Sequence, residues 1–272
     1  MTQVHDFEPA KTSSVTSLAV DIRRFPWIRR FAADYAFRFE QVASYFAGNP
    51  ARTDAWADTI QRRQAHVGAP AELARVIAAQ QERRGAPPAA RESASRLADP
   101  KTVVVITGQQ AGLFGGPLFT LLKALTAMKL AEQVSREHGV PVVPVFWIDA
   151  EDHDWPEVSS CTVLDSDLAP RTITLKDLPG AGDLPISRLT LDQQIDEAIA
   201  ALAAALPPSE FTPSIVETIT AAYRPGRGMA EAFGRLIESV LGPRGLVVYD
   251  SSDPAATRAW PARAARCAVS PG

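Results

Sequence analysis

The sequence has little of what marks secreted or membrane proteins. It contains two cysteines, Cys161 and Cys267, which are too few for a disulfide framework and favour a reducing compartment. No apolar run reaches the roughly 20 residues that a membrane-spanning helix needs. The N-terminus, MTQVHDFEPAKTSS, has no basic segment followed by an apolar core, so no secretory signal is expected. We therefore expect a cytoplasmic protein with no membrane partner.

The sequence also has no excess of positive charge. The formal net charge is −3, which gives no reason to expect nucleic acid as a partner. Hydrophobic residues make up 46% and charged residues 22% of the 272 positions, as in ordinary globular proteins. A chain of this length can bury a substantial core, in one large domain or two modest ones.

Residues 102–154 have the pattern of a strand, a glycine-rich turn, a helix, a second strand and an acidic loop. The β-branched run at 103–106 predicts a strand buried on both faces. Apolar residues at helical spacing follow Pro117 and stop before Gly139, which predicts the helix. Because a strand–helix–strand unit is right-handed, the two strands should be parallel, in an α/β fold. Ligands of such sheets bind beyond the carboxyl ends of the strands.

The turn after the first strand is the candidate nucleotide site. Glycines there allow positive φ or close approach of the backbone to a ligand, and the following helix end favours an anion such as phosphate. The long amides of this turn can donate hydrogen bonds to phosphate or sugar oxygens. The spacing matches neither the dinucleotide fingerprint nor the Walker pattern, and a tight turn that packs helix on strand is the alternative. The predicted cofactor-binding residues are Gly108, Gln109, Gln110, Gly112, Gly115 and Gly116.

The acidic loop after the second strand is the candidate catalytic site. Glu151, Asp152, His153 and Asp154 offer a base, an acid and carboxylate oxygens close together. A histidine beside carboxylates suits general base chemistry near neutral pH, while the carboxylates suit the Mg²⁺ of a bound nucleotide. The alternative is an acidic loop in which His153 only caps or pairs. No Cys/His set has the spacing of a zinc site, so no dedicated metal site is predicted.

Three more side chains near these loops have two interpretations each. Lys123 lies one to two turns into the helix, where it either reaches an anionic substrate or remains solvated. Trp155 is expected to pack rather than to stack on a ligand. Cys161 lies in a predicted strand and is expected to be a buried apolar residue, not a nucleophile.

Three segments carry a family resemblance: GQQAGLFGGPLFTLLKALTAMKLA, PVVPVFWIDAEDHDWPEV and GLVVYDSSDP. They resemble the cysteine ligase family of bacillithiol biosynthesis, from about residue 25 to residue 253. The resemblance implies a Rossmann-like core with a site for an adenine nucleotide (ATP or ADP), and cysteine and glucosaminyl-malate as substrates. It also implies a homodimer formed through a helical coiled-coil domain, and this chain stops before that domain.

The remaining elements follow from hydrophobic spacing and from turn residues. Helices are predicted over 23–46, 51–66, 70–84, 89–97, 191–206, 211–223 and 228–241, and strands over 158–164, 171–175 and 245–249. The long amphipathic helix at 23–46 interleaves aromatic residues with arginines. We interpret it as packing on the core and not as a nucleic-acid platform, given the acidic net charge. Asp250 and Asp253 should lie at the carboxyl edge of the sheet.

Four regions are predicted: an extended arm (1–22), a helical region (23–100), an incomplete Rossmann-like core (101–253) and a divergent, disordered tail (254–272). The tail has no helical or strand period and departs from the family, so our hypothesis is a truncated or frame-shifted product. The leading functional hypothesis is an amide-forming cysteine ligase. The alternatives are a nucleotide or nucleotide-sugar transferase on the same fold and an inactive fragment.

Overall fold

The computed structural model describes residues 21–65 and 70–259. The chain divides into two compact units, residues 1–59 and 60–272. Most of the predicted arm at 1–22 and the part of the predicted tail from residue 260 onward lie outside the described residues. The predicted four-region division is therefore not tested at its two ends.

The first unit is built around short helical turns and clustered aromatic rings. Helix α1 (Arg30–Phe37) ends at Arg38, whose φ of −143° and ψ of 54° leave the helical region, so the prediction of one long helix over 23–46 is wrong. Two 3-10 turns follow and bring Phe46 back to Tyr35 and Phe39, with ring centroids 4.8 and 5.6 Å apart. Ring–ring packing thus replaces the continuous apolar stripe that the spacing indicated. Helix α2 (Thr53–Gln64) crosses the boundary between the units.

The second unit has an α/β fold with two sheets, which confirms the predicted fold class. Its helices and strands lie close to the predicted bounds, except for two short helices, at 155–158 and 254–259, that were not predicted. In chain order they are α3 (Pro70–Arg84), α4 (Pro88–Ser95), β1 (Val103–Gln110), α5 (Phe119–His138), β2 (Val142–Asp149), α6 (Trp155–Val158), β3 (Ser160–Leu164), β4 (Pro170–Thr174), α7 (Gln194–Ala205), α8 (Thr212–Ala222), α9 (Met229–Leu241), β5 (Val247–Asp250) and α10 (Pro254–Ala259).

The main sheet is parallel, with strand order β1-β2-β5. Its register pairs Gln110 with Asp149 and Ile148 with Asp250. The three strands therefore end at the same edge, and the loops that follow them lie side by side, as predicted for a strand–helix–strand unit. Strands β3 and β4 form a separate antiparallel pair.

Helices cover the two faces of the sheet unequally. One face packs on α5 and α9, where Phe146 lies against Phe233. The other face packs on α3 and α4 over β2 and β5 only. Strand β1 is at the edge, with Val104 43% and Ile106 56% exposed, so the prediction that this strand is buried on both faces is wrong. Its β-branched run fits an edge strand equally well, because β propensity does not distinguish the two positions.

Helix α10 occupies Pro254–Ala259 and buries Ala256 in the hydrophobic cluster that contains Tyr249 and Ile77. The start of the predicted divergent tail is therefore helical and takes part in a hydrophobic cluster. No helix within the described ranges is long and apolar enough to cross a membrane.

Candidate active site

The predicted glycine loop and acidic loop meet at the carboxyl edge of the main sheet. A cleft of about 610 Å³ opens there, and we call it the main cleft. Residues from all three strand ends line it, among them Thr107, Gln109, Lys123, Asp149, Glu151 and Ser251. The main cleft therefore combines amide, ammonium, hydroxyl and carboxylate groups in one concave surface, as expected of a ligand site.

The glycine loop has the strained backbone that its glycines permit. Gly115 and Gly116 have φ of 94° and 69°. The residue before them, Phe114, has φ of 52°. A Cβ at Gly112 would lie 2.8 Å from the Cα of Gly116, closer than any side chain tolerates. The loop thus folds back on itself before α5 begins. Glycine is favoured at 112, where a Cβ would clash, and at 115 and 116, where φ is positive, whereas Phe114 adopts the left-handed conformation without being a glycine.

Tyr223, at the end of α8, hydrogen-bonds to the backbone of the glycine loop. Its hydroxyl donates to the carbonyl of Gly112 at 2.8 Å and accepts from the N–H of Gly115 at 3.2 Å. The side chain is fully buried, which raises the pKa of its hydroxyl and keeps it a donor. Sequence reasoning missed this residue, because its partners lie 111 and 108 positions away in the chain.

Gln109 and Lys123 are two of the polar residues on the glycine-loop side of the main cleft. The Nζ of Lys123 donates to the Oε1 of Gln109 at 2.9 Å. The amide nitrogen of Gln109 forms no hydrogen bond with the described residues, so it remains available as a donor in the cleft. Lys123 thus points into the site, which favours its interpretation as an anion-binding side chain.

Gln110 ties the two loops together. Its Nε2 donates to the Oδ2 of Asp152 at 2.6 Å and to the Oε2 of Glu157 at 3.0 Å. The hydrogen bond from Gln110 is the main reason why the pKa of Asp152 lies below its ordinary value. A hydrogen bond from the backbone N–H of His153 lowers this pKa further. Both amide hydrogens of Gln110 are therefore engaged with carboxylates, so in this arrangement it positions the acidic loop and has no free donor for phosphate.

The four predicted residues of the acidic loop have different surroundings and contacts. Glu151 lines the main cleft, and Asp152 binds Gln110. Asp154 caps α6 by accepting from the N–H of Glu157 at 3.2 Å. The His153 side chain is 73% exposed, with its Nδ1 3.7 Å from the Oδ1 of Asp152, and it does not line the main cleft. The structure therefore brings Glu151 to the cleft and keeps His153 at the solvent side of the loop.

A second cleft of about 360 Å³ lies at the start of α5 and shares Gln109 and Gln110 with the first. Gly112, Gly116 and Cys161 also line it. Burial raises the pKa of the Cys161 thiol, which agrees with the expectation that it is not a nucleophile. The glycine loop thus separates two adjoining clefts, and a ligand held at the loop has space on both sides.

Asp149 and Ser251 also line the main cleft. They belong to the polar segments at the ends of β2 and β5, but they were not among the predicted catalytic or cofactor-binding residues. Trp155 is buried and donates its indole N–H to Asp177 at 3.0 Å, so it packs as predicted. Within the described ranges no three His, Cys, Asp or Glu side chains form a metal-binding group. Asp149 and Glu151 supply two carboxylates to one cleft, which is what a nucleotide-bound Mg²⁺ takes from protein.

Comparison with known proteins gives one family. The model described as "Bacillithiol biosynthesis BshC, N-terminal Rossmann-like domain" matches residues 17–263, which includes the start of the predicted divergent tail. A relative from Salinibacter ruber named "Putative cysteine ligase BshC" is 38% identical over 81% of this chain and 40% of its own length. Relatives of the same name from Heliobacterium modesticaldum and Symbiobacterium thermophilum are 37% and 35% identical over 59% and 64% of this chain, covering 29% and 33% of their own lengths.

The chain thus spans less than half of the length of these curated relatives. The match covers most of the chain itself, including the glycine loop, the acidic loop and the strands that carry them. The chain therefore belongs to the bacillithiol biosynthesis BshC family, whose N-terminal Rossmann-like domain it matches.

Proposed function

We propose that this domain binds an adenine nucleotide at the glycine loop and provides the site where cysteine is joined to glucosaminyl-malate. The observation that carries the proposal is the main cleft, in which donors from one loop face carboxylates from the next. Relatives carry the name of a cysteine ligase, and an amide-forming ligase needs both kinds of group in one place.

The glycine-loop side of the cleft fits the phosphates. The Lys123 ammonium and the Gln109 amide supply donors there, and the N-terminus of α5, which lines the adjoining second cleft, also favours negative charge. Asp149 would hold the Mg²⁺ that accompanies the nucleotide, which leaves Glu151 free for the acceptor. A bound nucleotide supplies the phosphoryl or adenylyl group that activates the carboxylate of cysteine.

The carboxylate side of the cleft fits the proton transfers. When the acceptor amine attacks the activated carbonyl, a new C–N bond forms, the phosphate or AMP group leaves, and the amine loses a proton. Glu151 lines the cleft where that proton is released and is placed to accept it. Asp152, held by Gln110, keeps the loop in position, while His153 reaches the reaction only if the loop closes over the cleft.

Calorimetric titration of the chain with ATP, ADP and NAD, each with Mg²⁺, tests the proposal. We expect the adenine mononucleotides to bind and NAD to bind weakly or not at all, because the loop lacks the dinucleotide fingerprint. Lys123→Met should weaken nucleotide binding at least about tenfold, and Lys129→Met, one to two turns further along the same helix, should leave it unchanged. Equal effects of the two variants, or preferential binding of NAD, would contradict the proposal.

A further inference from the structure

A third cavity adjoins the main cleft on the side away from the glycine loop. It has a volume of about 480 Å³, and Glu151 belongs to both. The remaining polar residues that line it are Ser187, Arg188 and Ser252, and Leu184 and Pro185 form its apolar side. We call this space the Arg188 cavity.

Backbone hydrogen bonds fix one wall of the Arg188 cavity to the acidic loop. The N–H of Ile186 donates to the carbonyl of Asp152 at 2.8 Å, and the N–H of Ser187 donates to that of Ala150 at 2.9 Å. Ile186 is fully buried in the core. The 3-10 turn Ile186–Arg188 is therefore held next to Glu151, although the two segments are more than 30 residues apart in the chain.

The two charged residues of this cavity, Arg188 and Glu151, are exposed to solvent. Within the described parts of the chain, neither Arg188 nor Glu151 forms an ion pair, whereas Arg84, Arg171 and Arg235 each pair with a carboxylate. An unpaired guanidinium in a concave polar site is suited to a carboxylate, which it can bind through two parallel N–H···O bonds.

The hydroxyls give the cavity acceptors for a polyol. The Ser252 Oγ donates to the Oδ1 of Asp250 at 2.6 Å, so its hydrogen is engaged and its lone pairs remain as acceptors. Ser187 also lines the cavity and carries a second hydroxyl. Serine hydroxyls of this kind can accept from ligand O–H groups.

We propose that the Arg188 cavity binds an organic acid that also carries an amine, with its carboxylate on Arg188 and its amine at Glu151. Resting on the proposed function, this ligand is the acceptor, glucosaminyl-malate. Its malate carboxylates would occupy the Arg188 end, its sugar hydroxyls would meet the two serines, and its amine would lie at Glu151. Because Glu151 also lines the main cleft, the amine would then lie next to the space where the cysteine is activated.

Titration of the full chain with four probes tests this assignment: glucosaminyl-malate, malate, glucosamine and L-cysteine. We expect glucosaminyl-malate to bind most tightly and malate measurably. Arg188→Gln should weaken the binding of glucosaminyl-malate and of malate at least about tenfold, because it removes a pair of charge-assisted hydrogen bonds. Glu151→Gln should weaken glucosaminyl-malate but leave malate unchanged or tighter, since it removes a negative charge that only an amine would use.

Arg136→Gln, an exposed arginine on α5, is the matched control and should bind all probes as the parent chain does. The proposal is overturned if Arg188→Gln changes nothing, if Glu151→Gln weakens malate as much as glucosaminyl-malate, or if no probe binds at millimolar concentration. Binding of L-cysteine that depends on Arg188 would also overturn it, because the cavity would then hold the amino acid. ADP titration of the same variants separates the two proposals: a chain that binds ADP but no acid keeps the nucleotide site and loses this one.

Discussion

Gln80 binds the backbone of Asp250 as a neighbouring strand would. Its Nε2 donates to the carbonyl of Asp250 at 2.8 Å, and its Oε1 accepts from the N–H of Asp250 at 2.9 Å. The residues are 170 positions apart, and Gln80 is fully buried. A side chain of α3 thus completes the hydrogen bonding of β5 where that strand ends, and it positions the loop that carries Ser251 into the main cleft.

Replacing Gln80 should therefore destabilise the fold. Gln80→Leu keeps the volume but leaves the N–H and the carbonyl of Asp250 without a partner, at a cost of about 1–3 kcal/mol in the free energy of unfolding. Gln133→Leu removes a glutamine whose amide pairs with Glu137 on the exposed surface of α5, and it should change stability by less than about 0.5 kcal/mol. Urea unfolding of both variants provides the measurement, and equal stabilities would contradict the role of Gln80.

Tyr223→Phe should loosen the glycine loop. It removes the hydroxyl that bonds to both Gly112 and Gly115, but the N–H of Gly115 also donates to the carbonyl of Gly112 at 3.2 Å, so neither group is left without a partner. The loss should therefore cost about 0.5–1.5 kcal/mol of stability. Because the ring remains, the packing of Phe114 against it, with centroids 5.3 Å apart, should survive. We expect weaker ADP binding together with the lower stability. Unchanged ADP affinity would show that the loop holds its shape without this hydroxyl.

The sequence indicated most of the sheet and both loops, since hydrophobic runs, glycines and a carboxylate cluster are local signals. Gln80, Tyr223 and Arg188 gave no such signal, because each acts on residues far along the chain. Even the long amides of Gln109 and Gln110, which the sequence placed together, differ in use: one accepts from Lys123 and the other binds two carboxylates. Position along the chain locates a loop, but the contacts of its side chains depend on elements that only the fold brings near.

Gln110→Leu should raise the pKa of Asp152 towards its ordinary value. The amide stabilises the ionised carboxylate, so the folded-state pKa is lowered and the resulting stability is present above the unfolded pKa. That stability is lost as the pH falls through the lowered folded value. The difference in unfolding free energy between the parent chain and the variant should therefore shrink on acidification below about pH 4.

Carboxyl ¹³C NMR across an acid titration measures this pKa directly. Gln193→Leu is a suitable control, because it replaces an amide that has no part in the acidic loop. If Asp152 titrates at the same pH in the parent and in Gln110→Leu, the hydrogen bond from Gln110 does not stabilise its charge.

His153 should contribute to turnover if the acidic loop closes over the cleft. In a full-length relative, replacing the histidine that matches His153 with Ala is expected to lower kcat by two orders of magnitude or more, the usual range for a general base. Its exposed position in this structure makes the opposite outcome informative. Near-normal turnover, with loss of activity on replacing the residue that matches Glu151, would assign the proton transfer to Glu151 alone.

The buried pair of Arg84 and Glu238 provides the sharpest test of the core. The Nε of Arg84 donates to the Oε2 of Glu238 at 2.8 Å, and its Nη2 donates to the carbonyl of Val248 at 2.7 Å. The two side chains are only 5% and 2% exposed, so neither charge can be left alone. Arg84→Met leaves the buried carboxylate of Glu238 without its partner and should lower the free energy of unfolding by about 3–5 kcal/mol.

The double variant Arg84→Met/Glu238→Leu removes both charges and should recover most of that loss, because a buried ion pair contributes little beyond what an apolar pair of similar volume provides. The free energy of unfolding of the double variant should stay somewhat below that of the parent chain, since the carbonyl of Val248 on β5 loses its donor. Urea unfolding of the parent and both variants gives the three free energies. If the double variant is as unstable as Arg84→Met, the loss comes from the donor to β5 and not from the stranded charge, and Arg84 then serves the sheet in the way that Gln80 does.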